Sequence, residues 1–460
     1  MQQSTRLAKE QFVSNITGTS LTPIVTVMAL LPVTMLALWL PVQAHKARKP
    51  LSRPAAALSS LAGLPLPLLY FVTVLTSDDM YPGMAYETGL LFMAMLVMMA
   101  CLWWAVSTGE QPHVHANRHS GGRVSPGPTK PKRALWLDHY RAGMMLMTAI
   151  CILAVDFRVF PRNFGKTERT GYSLMDAGVG SFVMSSGVSA VVASGRSGAD
   201  ESATTVGAFV RRLAPALVLG AGRAIVVSAL NYHNHVSEYG VSWNFFVTLG
   251  LVTGLLFPAR RWTRERALTA SIAVLAVHYV LLEFAGLRAY VVDPSGERES
   301  FIGGNREGIA SLLGYASIYL AGLATGRAMI GGTSYMAVGA VLLSLSSVLH
   351  PTRKLADFGY VMYIVALNVA ALSSLIFIDN TRHPRPHPLT RAISRNQLSV
   401  FLVANLMTGA VNLSMDTIGA SNMTAMIVLT VYTVAVCGVA LAIDAWRYPH
   451  DWTSRPAAAR

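Results

Sequence analysis

The residues best equipped for chemistry gather in one stretch, ILAVDFRVFPRNFGKTERTGYSLMDAGVGSF, where Asp156, Lys166 and Asp176 follow one another at intervals of ten. Apolar helices flank them, and a charge at the middle of a spanning helix costs ~2.5–3.5 kcal/mol, so each needs a reason. An internal salt bridge is the plain one. Three features favour a functional site. Arg158, Arg162, Lys166 and Arg169 crowd the segment, Pro161 and Gly165 make its backbone irregular, and further polar clusters fall at the same membrane face. In HNHVSEYGVSWNFF, the spacing of His233, His235 and Glu238 suits zinc but lacks a further ligand. No metal is expected there, and hydrogen bonding to a polar head group, with Trp243 and Asn244 alongside, is the better use. In NREGIASLLGYASIYLAG, which places Asn305, Arg306 and Glu307 at a helix start, Asn305 fits an N-cap and Glu307 suits the helix dipole, while a helix N-terminus facing the same side as the basic loop also suits an anion. Asn405, Thr408 and Asn412 stand at i, i+3 and i+7, a polar stripe that either locks helices together or lines a cavity.

Elements able to position these groups are read from composition. The chain has 460 residues, of which 53% are hydrophobic and 13% charged, against roughly 25% charged in ordinary soluble domains. A soluble fold is excluded. Apolar runs long enough to cross a ~30 Å hydrocarbon core recur from residue 21 almost to the end, and they lack the alternation of a β-barrel. The expected fold is all-α and polytopic, one transmembrane domain over residues 1–460. Candidate spans are 21–43, 54–77, 84–106, 139–157, 173–193, 207–231, 241–257, 267–288, 306–326, 331–349, 357–378, 396–418 and 423–446, thirteen in all. The polar stretch at about 107–138, which includes His113, His115 and His119, reads as a disordered linker. The first 20 residues are polar, so the first span, not a cleaved leader, is expected to direct membrane entry. Cys101, Cys151 and Cys437 all lie in apolar stretches and read as core thiols.

A net charge of +14 suggests nucleic acid, but the basic residues sit in short loops between spans, where orientation explains them. Loops after odd-numbered spans are rich in Lys and Arg, among them Lys46, Arg118, Arg260 and Arg391, so they are expected to be cytoplasmic. The N-terminus is then exoplasmic and the C-terminus cytoplasmic. The segment holding Arg158 to Arg169 breaks this rule, which points to anion binding.

Several blocks carry a resemblance: KEQFVSNITGTS, YRAGMMLMTAICILAVDFRVFPRNFGKTERTGYSLMDAGVGSFV, HVSEYGVSWNFF, NREGIASLLGY and NQLSVFLVANLMTGAVNLSM. In this order, spread over residues 9–415, they resemble the GPI inositol acyltransferase family of fungal GPI-anchored wall transfer proteins and mammalian PIG-W. The loops at 107–137, 195–206 and 379–394 carry no resemblance and read as linkers. The resemblance implies thirteen spans, an endoplasmic-reticulum membrane enzyme and a lumen-facing site. The implied reaction moves palmitoyl from acyl-CoA to the inositol 2-hydroxyl of glucosaminyl-phosphatidylinositol. Acyl-CoA is a co-substrate, and no tightly bound cofactor is implied. It also implies that Asp156 and Lys166 are catalytic. Asp156 suits a general base; Lys166 suits the thioester oxygen, the placing of Asp156, or a phosphate, and its residue type leaves these open. Arg158, Arg162, Asp176, His235, Glu238, Trp243, Asn244, Asn305, Arg306, Glu307, Asn405 and Asn412 are the expected substrate-binding residues. The expected partners are acyl-CoA, the glycolipid and membrane lipids, with no nucleic acid, in a monomer. The competing readings are a lipid transporter or flippase, favoured by inverted repeats, and another membrane acyltransferase. For the latter, His278 is the available histidine, and packing between helices is its expected role.

Overall fold

The computed structural model describes residues 16–44, 134–194, 218–222, 236–293, 298–330, 332–382 and 387–450, together with Phe12, Ser14, Leu69 and Ala214. The helices are α1 (Leu21–Ala44), α2 (Leu135–Ala154), α3 (Leu174–Ser194), α4 (Val236–Tyr239), α5 (Phe245–Leu255), α6 (Arg264–Glu283) and α7 (Leu287–Val292). They continue as α8 (Phe301–Gly304), α9 (Arg306–Met329), α10 (Met336–Ser346), α11 (Phe358–Arg382), α12 (Pro388–Arg395), α13 (Gln397–Ser414) and α14 (Asn422–Arg447). Among the described residues there is no strand, only an isolated bridge between Thr19 and Tyr172.

Among the described residues six helices are long and apolar enough to cross a membrane: α3, α6, α9, α11, α13 and α14. The protein is a polytopic membrane protein. The expected count of thirteen is not reached among the described residues, because 54–77, 84–106 and 207–231 lie largely outside them. Two expected spans are also shorter than expected. At 1.5 Å per residue the 11 residues of α5 and of α10 each reach only about 16 Å, roughly half the core. Beyond α5 the chain tightens into a 3-10 turn at Phe257–Arg261, where Pro258 cannot continue an α-helix. Two linkers are corrected. Residues 135–138 of the expected disordered stretch begin α2, with Asp138 in its first turn accepting from Ser394 Oγ at 2.8 Å. Within 379–394 the chain forms α12, whose Leu389, Ala392 and Ile393 are buried while Arg391 and Arg395 reach Asp444 on α14, each at 3.8 Å.

The core is built on α3, α9 and α11, with α2 against them. Glycine explains how closely α3 and α9 approach. A Cβ on Gly187 would lie 2.4 Å from the Tyr319 carbonyl oxygen, and one on Gly322 would lie 2.5 Å from that of Met184. Small residues therefore set the spacing on which the site depends. By contrast α6 and α13 expose most of their surface, as helices facing lipid do. Cys151 and Cys437 are buried free thiols, and burial accounts for them fully.

Candidate functional site

The segment from residue 155 to 173 leaves α2 and enters α3 as an irregular loop that its own side chains brace. Arg162 donates through Nη2 to the carbonyls of Val155, Phe157 and Phe160 at 2.8, 3.2 and 3.3 Å, and its guanidinium lies 4.0 Å from the Phe12 ring centre. This makes Arg162 a scaffold for the loop, whereas Arg158 is exposed. The N-terminal strand of chain closes over the loop through Thr19 N–H to Tyr172 O at 2.8 Å and Glu168 N–H to Ile16 O at 3.1 Å.

The expected clusters meet, in a pairing the sequence did not disclose. Lys166 Nζ bonds both carboxylate oxygens of Glu238 at 3.0 Å, joining the first cluster to the second. Asp176 is buried and paired with Arg353, Nε to Oδ1 at 2.6 Å, and its Oδ2 accepts from Thr167 N at 3.0 Å and Thr167 Oγ1 at 2.6 Å. Arg353 also approaches Glu238, at 4.0 Å. Asp176 thus grips the residue after Lys166, and Arg353 ties that grip to Glu238. A salt bridge between Lys166 and either aspartate, the plain reading of their spacing, is not what forms. Asp156 instead accepts from Asn412 Nδ2 at 2.7 Å, placing it against α13.

The third cluster joins the second through the backbone. Asn305 occupies the N-cap of α9 but caps nothing with its side chain; its Oδ1 accepts from Ser242 N at 2.9 Å and Trp243 N at 3.0 Å. Glu307 is bound by Arg298 at 2.6 Å, and Arg306 donates to the Asp293 carbonyl, so both are buried supports of the 293–307 connection. Trp243 Nε1 donates to Thr248 at 2.8 Å, and Asn244 caps α5 by accepting from Phe246 N at 3.0 Å. His233 and His235 lie outside the described residues. The stripe on α13 divides three ways: Asn405 lines a cavity, Thr408 contacts Tyr432 Oη at 3.4 Å, and Asn412 holds Asp156.

That cavity, about 550 Å³, lies between α2, α3, α5 and α13. Lys166, Glu238 and Tyr239 stand at one end, Arg141, Arg395 and Gln397 at the other, and Met144, Val179, Phe182, Phe245 and Phe401 line the length between. From Met175 to Ser186, both lining residues, is eleven residues of α3, a depth of about 16 Å at 1.5 Å per residue. That is half a ~30 Å hydrocarbon core, the length of one lipid chain. Apolar side chains dominate the lining between these polar ends, with Thr148, Ser186 and Asn405 among them. At the mouth, the Arg353 guanidinium is buried, yet the opposing carboxylates of Asp176 and Glu238 hold its pKa well above the usual value. Burial pushes the Tyr239 phenol up, against the lowering field of Arg353.

Arg353 and Thr167 were the residues that sequence reasoning missed. A signal for Arg353 was available: Arg353 and Lys354 are a basic pair in a short connection between spans that, like the segment holding Lys166, is expected on the face where Lys and Arg are disfavoured.

Comparison with known proteins gives concordant results. The GWT1 family model matches residues 5–443. GPI-anchored wall transfer protein 1 of Emericella nidulans is 36% identical over 472 residues, covering 95% of this chain and 97% of that protein. The protein of the same name from Aspergillus oryzae is 34% identical, covering 96% and 98%. Phosphatidylinositol-glycan biosynthesis class W protein of Dictyostelium discoideum is 33% identical over 366 residues, covering 67% and 73%.

Proposed function

The chain belongs to the GWT1 family, and from that premise we propose that it acts in GPI-anchor biosynthesis as an acyl-CoA-dependent inositol O-acyltransferase. The acceptor is the inositol 2-hydroxyl of glucosaminyl-phosphatidylinositol, the donor palmitoyl-CoA, and the setting the endoplasmic-reticulum membrane. The N-terminus and the Asp156–Lys166 loop face the lumen, and the C-terminus faces the cytoplasm. The observation that carries this reading is the apolar cavity of about 550 Å³ ending at Lys166 and Glu238. A flippase requires a polar path through the midplane, whereas Met, Val and Phe outnumber Thr148, Ser186 and Asn405 along this one.

In the reaction, Asp156 accepts the hydroxyl proton as the inositol oxygen attacks the thioester carbonyl carbon. The new C–O bond forms, the C–S bond breaks, and the CoA thiolate leaves and recovers the proton. Asn412 donates to Asp156 Oδ2 and so fixes the direction of the other oxygen. Lys166 faces the developing oxyanion at the cavity mouth, and its side chain, 40% exposed against 18% for Glu238, keeps a free side toward a ligand. Glu238 holds that ammonium in register, with Arg353 and Asp176 behind it.

The test supplies purified protein with palmitoyl-CoA and glucosaminyl-phosphatidylinositol and follows the lipid product by mass spectrometry. Wild type should form acylinositol product; Asp156→Asn should lose ~10²–10⁴ in rate at normal abundance, the usual loss for a positioned base. A folded wild-type protein that transfers no acyl chain overturns the reading.

A further inference from the structure

Between α10 and α11 the chain makes a short connection, residues 347–357, that is fixed from several sides. Gly171 N–H donates to Pro351 O at 2.9 Å, Tyr172 Oη donates to Leu349 O at 2.7 Å, and His278 Nε2 meets Leu355 O at 2.9 Å. Asp357 Oδ1 accepts from Thr352 N and Tyr360 N, both at 3.0 Å. Near its end stands Ala356, the one non-glycine residue with positive φ (46°) among the described residues. A left-handed alanine costs roughly 1–2 kcal/mol and persists only where its surroundings over-determine it. Here α9 does so: a Cβ on Gly314 would lie 2.1 Å from Ala356 O, so only glycine admits the turn.

What this strained turn delivers is a pair of cations with opposite fates. Arg353 enters the core and is taken up by Asp176 and Glu238. Lys354 is half-buried beside it, and among the described residues it has no hydrogen-bond or ion-pair partner. Three acids act on it electrostatically, Glu168, Glu238 and Glu307. Two of these are already engaged, Glu238 by Lys166 at 3.0 Å and Glu307 by Arg298 at 2.6 Å, and Glu168 forms no ion pair with Lys354. A partly desolvated ammonium without a counter-ion is a position prepared for one. Burial, and next the neighbouring Arg353, lower its pKa, as expected of a cation short of compensation.

We infer that Lys354 binds a phosphate group of the substrate beside the contact of Arg353 with Glu238, held in place by the strained turn. The inference rests on the proposed acyl transfer for its choice of ligand, because both substrates carry phosphate: the phosphodiester of the inositol lipid and the phosphates of CoA. The full-length enzyme is compared with Lys354→Met and Lys354→Arg, and KM is measured for each substrate with the other saturating. Lys354→Met should raise one KM about tenfold, as loss of a charged hydrogen bond does, with kcat within about threefold, and Lys354→Arg should recover most of the loss. A rise confined to the glycolipid identifies its phosphodiester; a rise confined to acyl-CoA identifies the CoA phosphates. A folded Lys354→Met enzyme with both KM values unchanged overturns the inference, as does a fall in kcat alone.

Should wild type transfer no acyl chain, the proposed function fails by itself and Lys354 is judged by binding. Fluorescent short-chain phosphatidylinositol and CoA are then titrated onto wild type and Lys354→Met. Weaker binding of either probe to the variant supports the phosphate site, and equal or absent binding in both proteins overturns it.

Discussion

Substituting Ser186 by phenylalanine should turn the cavity into a shorter slot. Ser186 lines the deep half, ten residues below Asp176, and its hydroxyl bonds only the Phe182 carbonyl of its own helix at 2.9 Å. Losing that hydroxyl therefore leaves no tertiary partner unsatisfied. Phenylalanine adds about five heavy atoms to the chain's path, displacing roughly three to four methylenes, each worth ~0.8 kcal/mol when buried. The penalty on a palmitoyl chain is then about 3 kcal/mol, roughly a hundredfold at 1.4 kcal/mol per tenfold. A chain four carbons shorter stops above the new ring and escapes it. The assay is competition between palmitoyl-CoA and lauroyl-CoA for a limiting glycolipid, with the two acylinositol products resolved by mass. Ser186→Phe should move the palmitoyl-to-lauroyl ratio about a hundredfold toward lauroyl. A folded variant whose ratio stays within about twofold of wild type would refute the assignment of this cavity to the acyl chain.

Two further outcomes follow from the same geometry. Arg353→Met leaves Asp176 charged in the core and should destabilise the fold by ~3–5 kcal/mol, whereas Arg353→Met with Asp176→Leu should recover much of it; thermal unfolding in detergent measures both. Asn412→Leu removes the donor to Asp156 and should lower kcat about tenfold with both KM values little changed, since it loosens the base without touching a binding contact; unchanged kcat would separate Asn412 from the chemistry.

Much of the architecture was legible because it depends on local pattern. The six spans of α3, α6, α9, α11, α13 and α14 fall within a few residues of their apolar windows, since length and hydropathy alone decide them. Where the reading failed, a local rule was overridden. Hydropathy ran α5 and α10 to full length because it counts apolar residues, not backbone continuity: α5 starts only after its Asn244 cap and gives way to the 3-10 turn that holds Pro258, and the turn at Gly332 (φ 78°) delays the start of α10 to Met336. The amphipathic α12 hid inside a stretch judged by its Arg and Pro content. Pro388 at its first turn, with Leu389, Ala392 and Ile393 on one face, was the sequence signature of a short surface helix.

The sequence singled out the three charged clusters but not how they are wired together, and the reason is electrostatic. Which charges must be near the mouth follows from the cost of burying them, a property of single residues and their place along a span. Which charge meets which follows from distances between elements far apart in sequence. Lys166 and Glu238 are 72 residues apart, while Arg353 stands far beyond either, so no spacing rule connects them. The wiring also changes what the lysine and aspartate can be asked to do. Were Lys166 paired with Asp156, each would neutralise the other, and the base would bear the lysine's stabilising charge just when it needs to accept a proton. Lys166 is matched instead to Glu238, and Asp156 meets the amide of Asn412, so the two groups are held by different partners on different elements. Arg353, by reaching both Asp176 and Glu238, ties the Lys166 side of that arrangement to the core.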